Sequence, residues 1–188
     1  KIKTKELMTW CFGNIVEKKN NMDTSKNSMS NITVEERLVD SNHIAMEIQN
    51  RIQIDRFTGG AANTALFDTV PLWAKNNERV INMEFSITNK NCSNNFMAGA
   101  GLLLLLLKDI WTEDLPIGGE KSIGRGIVSG LESTITIYKD GEEKHITISN
   151  GDGKLIFSSS DFEKSEDARN ELQRYVDKFI NWNREERA

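Results

Sequence analysis

Six consecutive leucines, Leu102 to Leu107, lie inside the stretch "MAGAGLLLLLLKDIW". Leucine is a strong helix former and no β-branched residue interrupts the run, so the segment predicts a helix. Successive leucines cover every face of that helix, so it is expected to be buried all round. The apolar stretch is too short to span a bilayer, and charged residues follow it directly, which argues against a membrane segment. The rest of the chain must therefore supply the surfaces that cover this one element.

The flanking sequence offers them. "KIKTKELMTWCF" predicts a helix with Leu7, Met8 and Cys11 on its apolar face. Residues 13–31 are polar, rich in Asn, Ser and Lys, and patternless, as a loop would be. "ITVEERLVDSN" starts like a strand, and the stretch from Ile44 to Phe57 alternates, with Ile52, Ile54 and Phe57 set against Gln53, Asp55 and Arg56. The Gly, Ala and Thr residues that follow Thr58 suit an exposed hairpin or a flexible loop that ends at Pro71. "RVINMEFSITN" alternates as a strand. Asp140-Gly141, between two further alternating runs, is the strongest hairpin signal in the chain. The C-terminal segment carries Leu172, Tyr175, Val176, Phe179 and Ile180 at helical spacing, with Ser165 or Asp167 available as a cap. Helix, strands, helix, strands, helix is the order of an α+β fold, an antiparallel sheet with helices on one face. The 188 residues suit a single domain, spanning 1–188.

Charge and composition narrow the function. A formal net charge of -4 does not fit a uniformly basic nucleic-acid binder, although a local basic patch can still dominate the field at one groove. Cys11 and Cys92 are isolated, which argues against a disulfide scaffold or a structural zinc site and fits a reducing compartment. His43 and His145 are too distant to suggest an acid–base pair, and Asp55 and Asp68 show no converging partners for a metal. Trp10, Trp111 and Trp182 read as packing residues, and Trp73 as a candidate for base stacking.

The feature that points most directly to chemistry is "LPIGGEKSIGRGIV", Leu115 to Val128. Gly118, Gly119, Gly124 and Gly126 permit positive φ and close approach of another molecule. Exposed N–H groups in such a turn form a nest for an anion, Lys121 and Arg125 add charge, and Ser122 adds a hydroxyl donor. A nucleotide-binding P-loop does not fit. Glu120 stands before Lys121 where that motif requires glycine, and a helix precedes the loop where a strand should. An anion-binding loop and a plain helix-to-strand turn both remain open.

The leucine-rich helix leading into "LPIGGEKSIGRG" resembles the C-terminal part of the RAMP superfamily of CRISPR-associated proteins, with its glycine-rich loop of the form LPLGGxKSxGxG. "RIQIDRFTGGAANTALFDTVPL" is similar to that family's R-x-x-I-D-R-x-T-G-x-A…LF…VP segment, and Phe12-Gly13-Asn14 resembles the FG that follows an early helix. The resemblance runs in order from Phe12 to Gly126 and is nearest to the backbone subunits of type III effector complexes. It implies a modified ferredoxin-like, RRM-like domain whose first strand and first helical turns would precede Lys1.

The same resemblance implies a guide-RNA contact through Gly118, Gly119, Lys121, Ser122, Gly124 and Arg125. It puts Thr58 to Thr69, including Gly59 and Gly60, at or near a thumb hairpin that wedges into the guide–target duplex. Arg51 and Arg56 become phosphate or sugar contacts. Guide RNA, target RNA and neighbouring RAMP subunits are the implied partners, with a separate N-terminal piece or a larger fused subunit completing the domain. The prokaryotic cytoplasm is the implied location, and no cofactor or membrane is implied. The aspartate with which catalytic relatives cleave target RNA would precede Lys1, and Asp40 matches a position of a structural kind. Three functions stay in competition: an RNA-holding assembly subunit, an endoribonuclease cutting target or guide precursor, and a protein-only assembly subunit. Lys121, Ser122 and Arg125 favour the first over the third, the missing aspartate favours it over the second, and the net acidity favours the third.

Overall fold

The computed structural model describes residues 2–14, 28–75, 81–89, 95–152 and 154–187. Most of the polar loop after Asn14, the start of the strand expected from Arg79, and Cys92 lie outside these residues. The chain divides into two compact units, Lys1–Thr33 with Phe85–Ala188, and Val34–Glu84. The described helices are α1 (Ile2–Phe12), α2 (Asn95–Trp111) and α3 (Ser165–Arg187). The described strands are β1 (Ile32–Val34), β2 (Ile44–Met46), β3 (Gln49–Ile54), β4 (Ala61–Thr69), β5 (Leu72–Ala74), β6 (Phe85–Ile87), β7 (Glu132–Lys139), β8 (Glu142–Asn150) and β9 (Leu155–Ser158). The fold is α+β, as the order of sequence patterns predicts.

The larger unit is built around α2 and α3. Trp111, Ile146, Ile148, Ala168 and Leu172 form one buried cluster, flanked by Leu104, Leu107, Ile135, Ile137, Phe157 and Phe162. Leu7, Cys11, Ile32 and Ala98 form a second, flanked by Trp10, Ile87, Leu103, Phe179 and Trp182. The leucine run thus feeds both clusters, yet all six leucines are half-buried; the residues of α2 that are fully enclosed are Ala98, Gly99, Gly101, Ile110 and Trp111. Close packing explains this departure from burial all round. A Cβ on Gly101 would lie 2.2 Å from the Tyr175 carbonyl oxygen, so α3 sits against the backbone of α2 itself rather than against leucine tips. Met8, placed on the apolar face of α1 by its spacing, is 47% exposed at the edge of that face.

The β7–β8 hairpin forms where the Asp-Gly signal stands. Lys139 pairs with Glu142, and Asp140 (φ 53°) and Gly141 (φ 84°) both take the left-handed conformation that a two-residue hairpin turn of type I′ requires. Ile146 and Ile148 point into the core, while His145, just before them, is exposed. Strand β9, which no sequence pattern announced, adds antiparallel to β8 with Asn150 opposite Leu155. On α3, Ala168, Leu172 and Tyr175 are buried at i, i+4 and i+7, and Ile180 falls at the rim of the stripe.

The smaller unit holds two antiparallel pairs. The alternating stretch from Ile44 to Phe57 does not form one strand. It divides into β2, paired with β5, and β3, paired with β4. In the β3–β4 hairpin Arg51 faces Phe67 and Ile52 faces Leu66, with an irregularity between Ile52 and Ile54. The Thr58 stretch therefore forms a hairpin, the first of the two forms its composition allowed. Asp40 caps the 3₁₀ turn Ser41–His43, its side chain accepting from Asn42 N at 2.9 Å.

Candidate nucleic-acid interface

The glycine-rich loop leaves α2 through a left-handed residue, Glu113 (φ 66°), while Asp114 N and Leu115 N both donate to the Asp109 carbonyl. Its base is closed where Ile117 N donates to Gly126 O at 2.9 Å. Only glycine can stand at 126: its φ is 81°, and a Cβ there would lie 1.9 Å from Ile117 O. Between these anchors Glu120 (φ 56°) and Gly124 (φ 79°) bracket a 3₁₀ turn, Lys121–Ile123. The far end of the loop is tied down by Asn150. Its side chain accepts from Trp111 Nε1 at 2.8 Å and donates to Gly130 O at 2.6 Å, while Gly130 lies against the indole.

The crown of the loop is open. At Gly118, Gly119 and Gly124 no atom beyond the chain neighbours lies within 4 Å of where a Cβ would sit. No backbone hydrogen bond joins the N–H of Gly118 or Gly119 to another described residue. Lys121, Ser122 and Gly124 are exposed, and Lys121 has no ion pair among the described residues. Two amides without a backbone partner among the described residues, an ammonium and a hydroxyl thus lie on one short turn, the donor set that an anion nest would need. Arg125 is placed differently from the sequence expectation. Its guanidinium is paired with the Glu120 carboxylate and its side chain is only 15% exposed, so it braces the loop from within. Sequence reasoning used Glu120 only to reject a P-loop. Its spacing to Arg125, five residues across a glycine, held the signal that the two could pair.

The other expected contacts fall on the β3–β4 hairpin, in the smaller unit. Arg51 lies within β3, half-buried, and Nη2 approaches Gln49 Oε1 at 3.3 Å. Arg56, Thr58, Gly59 and Gly60 are exposed together in the turn that joins the strands. Asp55 organises this turn: its N–H donates to Gly60 O, its carbonyl accepts from Gly59 N, both at 2.9 Å, and its Oδ1 accepts from Phe57 N at 2.7 Å. Asp55 is thereby a turn-former. Phe57, assigned to a strand by alternation, belongs to the turn instead. Trp73 is 46% exposed on β5.

An open glycine-rich loop thus follows the leucine-rich helix in the larger unit, and an Arg- and Gly-bearing hairpin is exposed in the smaller one. The family model of the RAMP superfamily matches residues 1–129, a span that contains both the hairpin and the glycine-rich loop. The chain belongs to the RAMP superfamily, and with that to the CRISPR-associated, RNA-binding proteins of ferredoxin-like fold. No curated protein and no solved structure matches it. Strands β7 to β9 and α3 lie beyond the matched span. Among the described residues, no helix is long and apolar enough to cross a membrane.

Proposed function

We propose that this chain is an RNA-holding backbone subunit of a CRISPR effector ribonucleoprotein. The loop Leu115–Val128 grips the guide-RNA backbone, with Gly118, Gly119, Lys121, Ser122 and Gly124 as the contacting face and Arg125 as its brace. The β3–β4 hairpin, with Arg56, Thr58, Gly59 and Gly60 at its tip and Arg51 along its body, contacts the guide–target duplex. The two compact units act as one RNA-binding domain, and neighbouring RAMP subunits and target RNA are its partners. The observation that carries this reading is the open crown of the loop: glycines with empty space above them, beside an ammonium that has no ion pair among the described residues.

Such a site contacts phosphates and not base edges, so it holds RNA without reading its sequence. Lys121→Glu should weaken binding of guide RNAs of different sequence alike, and lower the slope of log affinity against log salt by roughly one for each phosphate no longer engaged. Lys121 is exposed, so the variant keeps its thermal stability. Filter-binding titrations of the full chain across a salt series measure both quantities. Unchanged affinity and slope would return the loop to the status of a plain turn.

A further inference from the structure

The sheet formed by β7, β8 and β9 lies beyond the span that the family model matches, and it ends in two unlike edges. One is β9, only 4 residues long. The other is β7, which has 8 residues and, among the described residues, pairs with β8 alone. Lys139 and Glu142 close the two-residue turn, so Ile137, Ile135 and Ser133 direct their N–H and C=O groups to β8, while Thr134, Thr136 and Tyr138 direct theirs away from it. No backbone hydrogen bond joins these outward groups to another described residue. Soluble proteins blunt such an edge with a proline, a bulge or a charge in the run. β7 has none of these. Its register with β8 is unbroken from Glu132 to Lys139, and Ser133–Tyr138 carries neither proline nor charge. An edge this regular is a surface for one more strand.

The side chains indicate which strand. Ile135 and Ile137 share the core face with Ile146 and Ile148, which are buried, yet at the edge both remain only half-buried. On the other face stand Thr134, Thr136 and the exposed Tyr138, flanked by Glu132 and Glu143. The run offers no cation to a phosphate, so it does not suit RNA. It suits an uncharged strand, apolar on one face and hydroxyl-bearing on the other, and β7 of a second copy has that pattern. A two-fold axis perpendicular to the sheet sets two copies of β7 antiparallel and keeps like faces together. Isoleucines then lie beside isoleucine or Ser133, threonines lie beside threonine or Tyr138, and no like charges oppose each other within Ser133–Tyr138. We propose that this chain self-associates through β7, the sheets of two copies joining edge to edge into one antiparallel sheet. The proposal does not depend on the RNA-binding function proposed above.

Sedimentation velocity of the full chain without RNA, over a concentration series, measures the association. The native chain should pass from monomer to dimer as concentration rises. Thr136→Pro removes an outward N–H from each copy without removing a bond to β8, and Thr134→Lys places a charge in the run. Each should weaken the dimer roughly ten- to a hundred-fold. Thr134 is exposed, so Thr134→Lys should match the dilute native chain in thermal unfolding. Hydrogen exchange read at single amides gives a second signature. The amides of Thr134, Thr136 and Tyr138 should exchange freely in the dilute native chain and become protected in the concentrated one, while those of Ile135 and Ile137 are protected in both. A native chain that stays monomeric, or a dimer that both variants leave intact, would overturn the proposal. Protection of the outward amides already in the dilute monomer would overturn it in favour of an edge covered by the chain itself. Protection that appears only when RNA is added would overturn it in favour of RNA as the occupant.

Discussion

Replacing Gly119 by alanine separates a glycine kept for its own backbone from one kept for a visitor. Gly119 does not have a positive φ, and no atom beyond its neighbours lies within 4 Å of the new methyl group. The folded chain thus accepts alanine without strain, and the substitution reduces the freedom of the unfolded chain. Stability should rise by about 0.4–1 kcal/mol, or roughly one to four degrees in Tm for a chain of this size. RNA binding should move the other way. The methyl group stands beside an N–H that is open to phosphate, and a hydrogen bond to a charged group contributes about 1.5–3 kcal/mol. Without it, affinity falls roughly ten- to a hundred-fold. Gly126→Ala provides the contrast. With φ at 81° and Ile117 O at 1.9 Å, it should reduce stability and binding together. Calorimetry and anisotropy titration of the two variants distinguish these outcomes. A Gly119→Ala chain that is more stable and binds RNA as well as the native chain would refute the argument that open space above the loop is there for a ligand.

Glu120→Gln should tighten RNA binding several-fold, on the scale of about 1 kcal/mol expected for a partly exposed ion pair. It removes a negative charge from the crown and releases Arg125 toward the phosphate; weaker binding in the same titration would mean that the pair's bracing outweighs its competition. Asp161 gives a test of pH dependence. The His145 backbone N–H, 2.7 Å from its Oδ2, is the main cause holding its carboxyl below the ordinary value. A depressed folded-state pKa contributes stability that is present above the unfolded-state pKa and is lost as pH falls through the folded one. Thermal unfolding of Asp161→Asn across the acid range should show a shallower decline than the native chain; parallel curves would assign the acid sensitivity elsewhere.

What could be read from the sequence was local, and what could not was decided by partners distant in the chain or by a single turn. The Asp140-Gly141 turn and the α3 stripe are properties of a few consecutive residues, and both form where the sequence puts them. The stretch from Ile44 to Phe57 has the alternation of one long strand, but alternation cannot say where pairing changes hands. β2 finds β5 and β3 finds β4, so the run breaks between them. Phe57 stands three residues after Ile54 and so already departs from the two-residue period, and the Asp55 carboxylate accepts from the Phe57 N–H where the chain turns. That one side-chain hydrogen bond converts a residue that reads as packing into the most solvent-facing ring of the hairpin. In the glycine-rich loop, composition gives Lys121 and Arg125 the same charge, and backbone conformation gives them different work. The left-handed residues at 120 and 124 frame the turn in which Glu120 meets Arg125, leaving Lys121 as the loop's cation without an ion pair among the described residues. If the loop binds RNA as proposed, a count of basic residues overstates the positive charge it offers, and binding must draw more heavily on its amides. Binding through amides demands close approach, which open glycines at the crown permit and bulkier residues there would hinder.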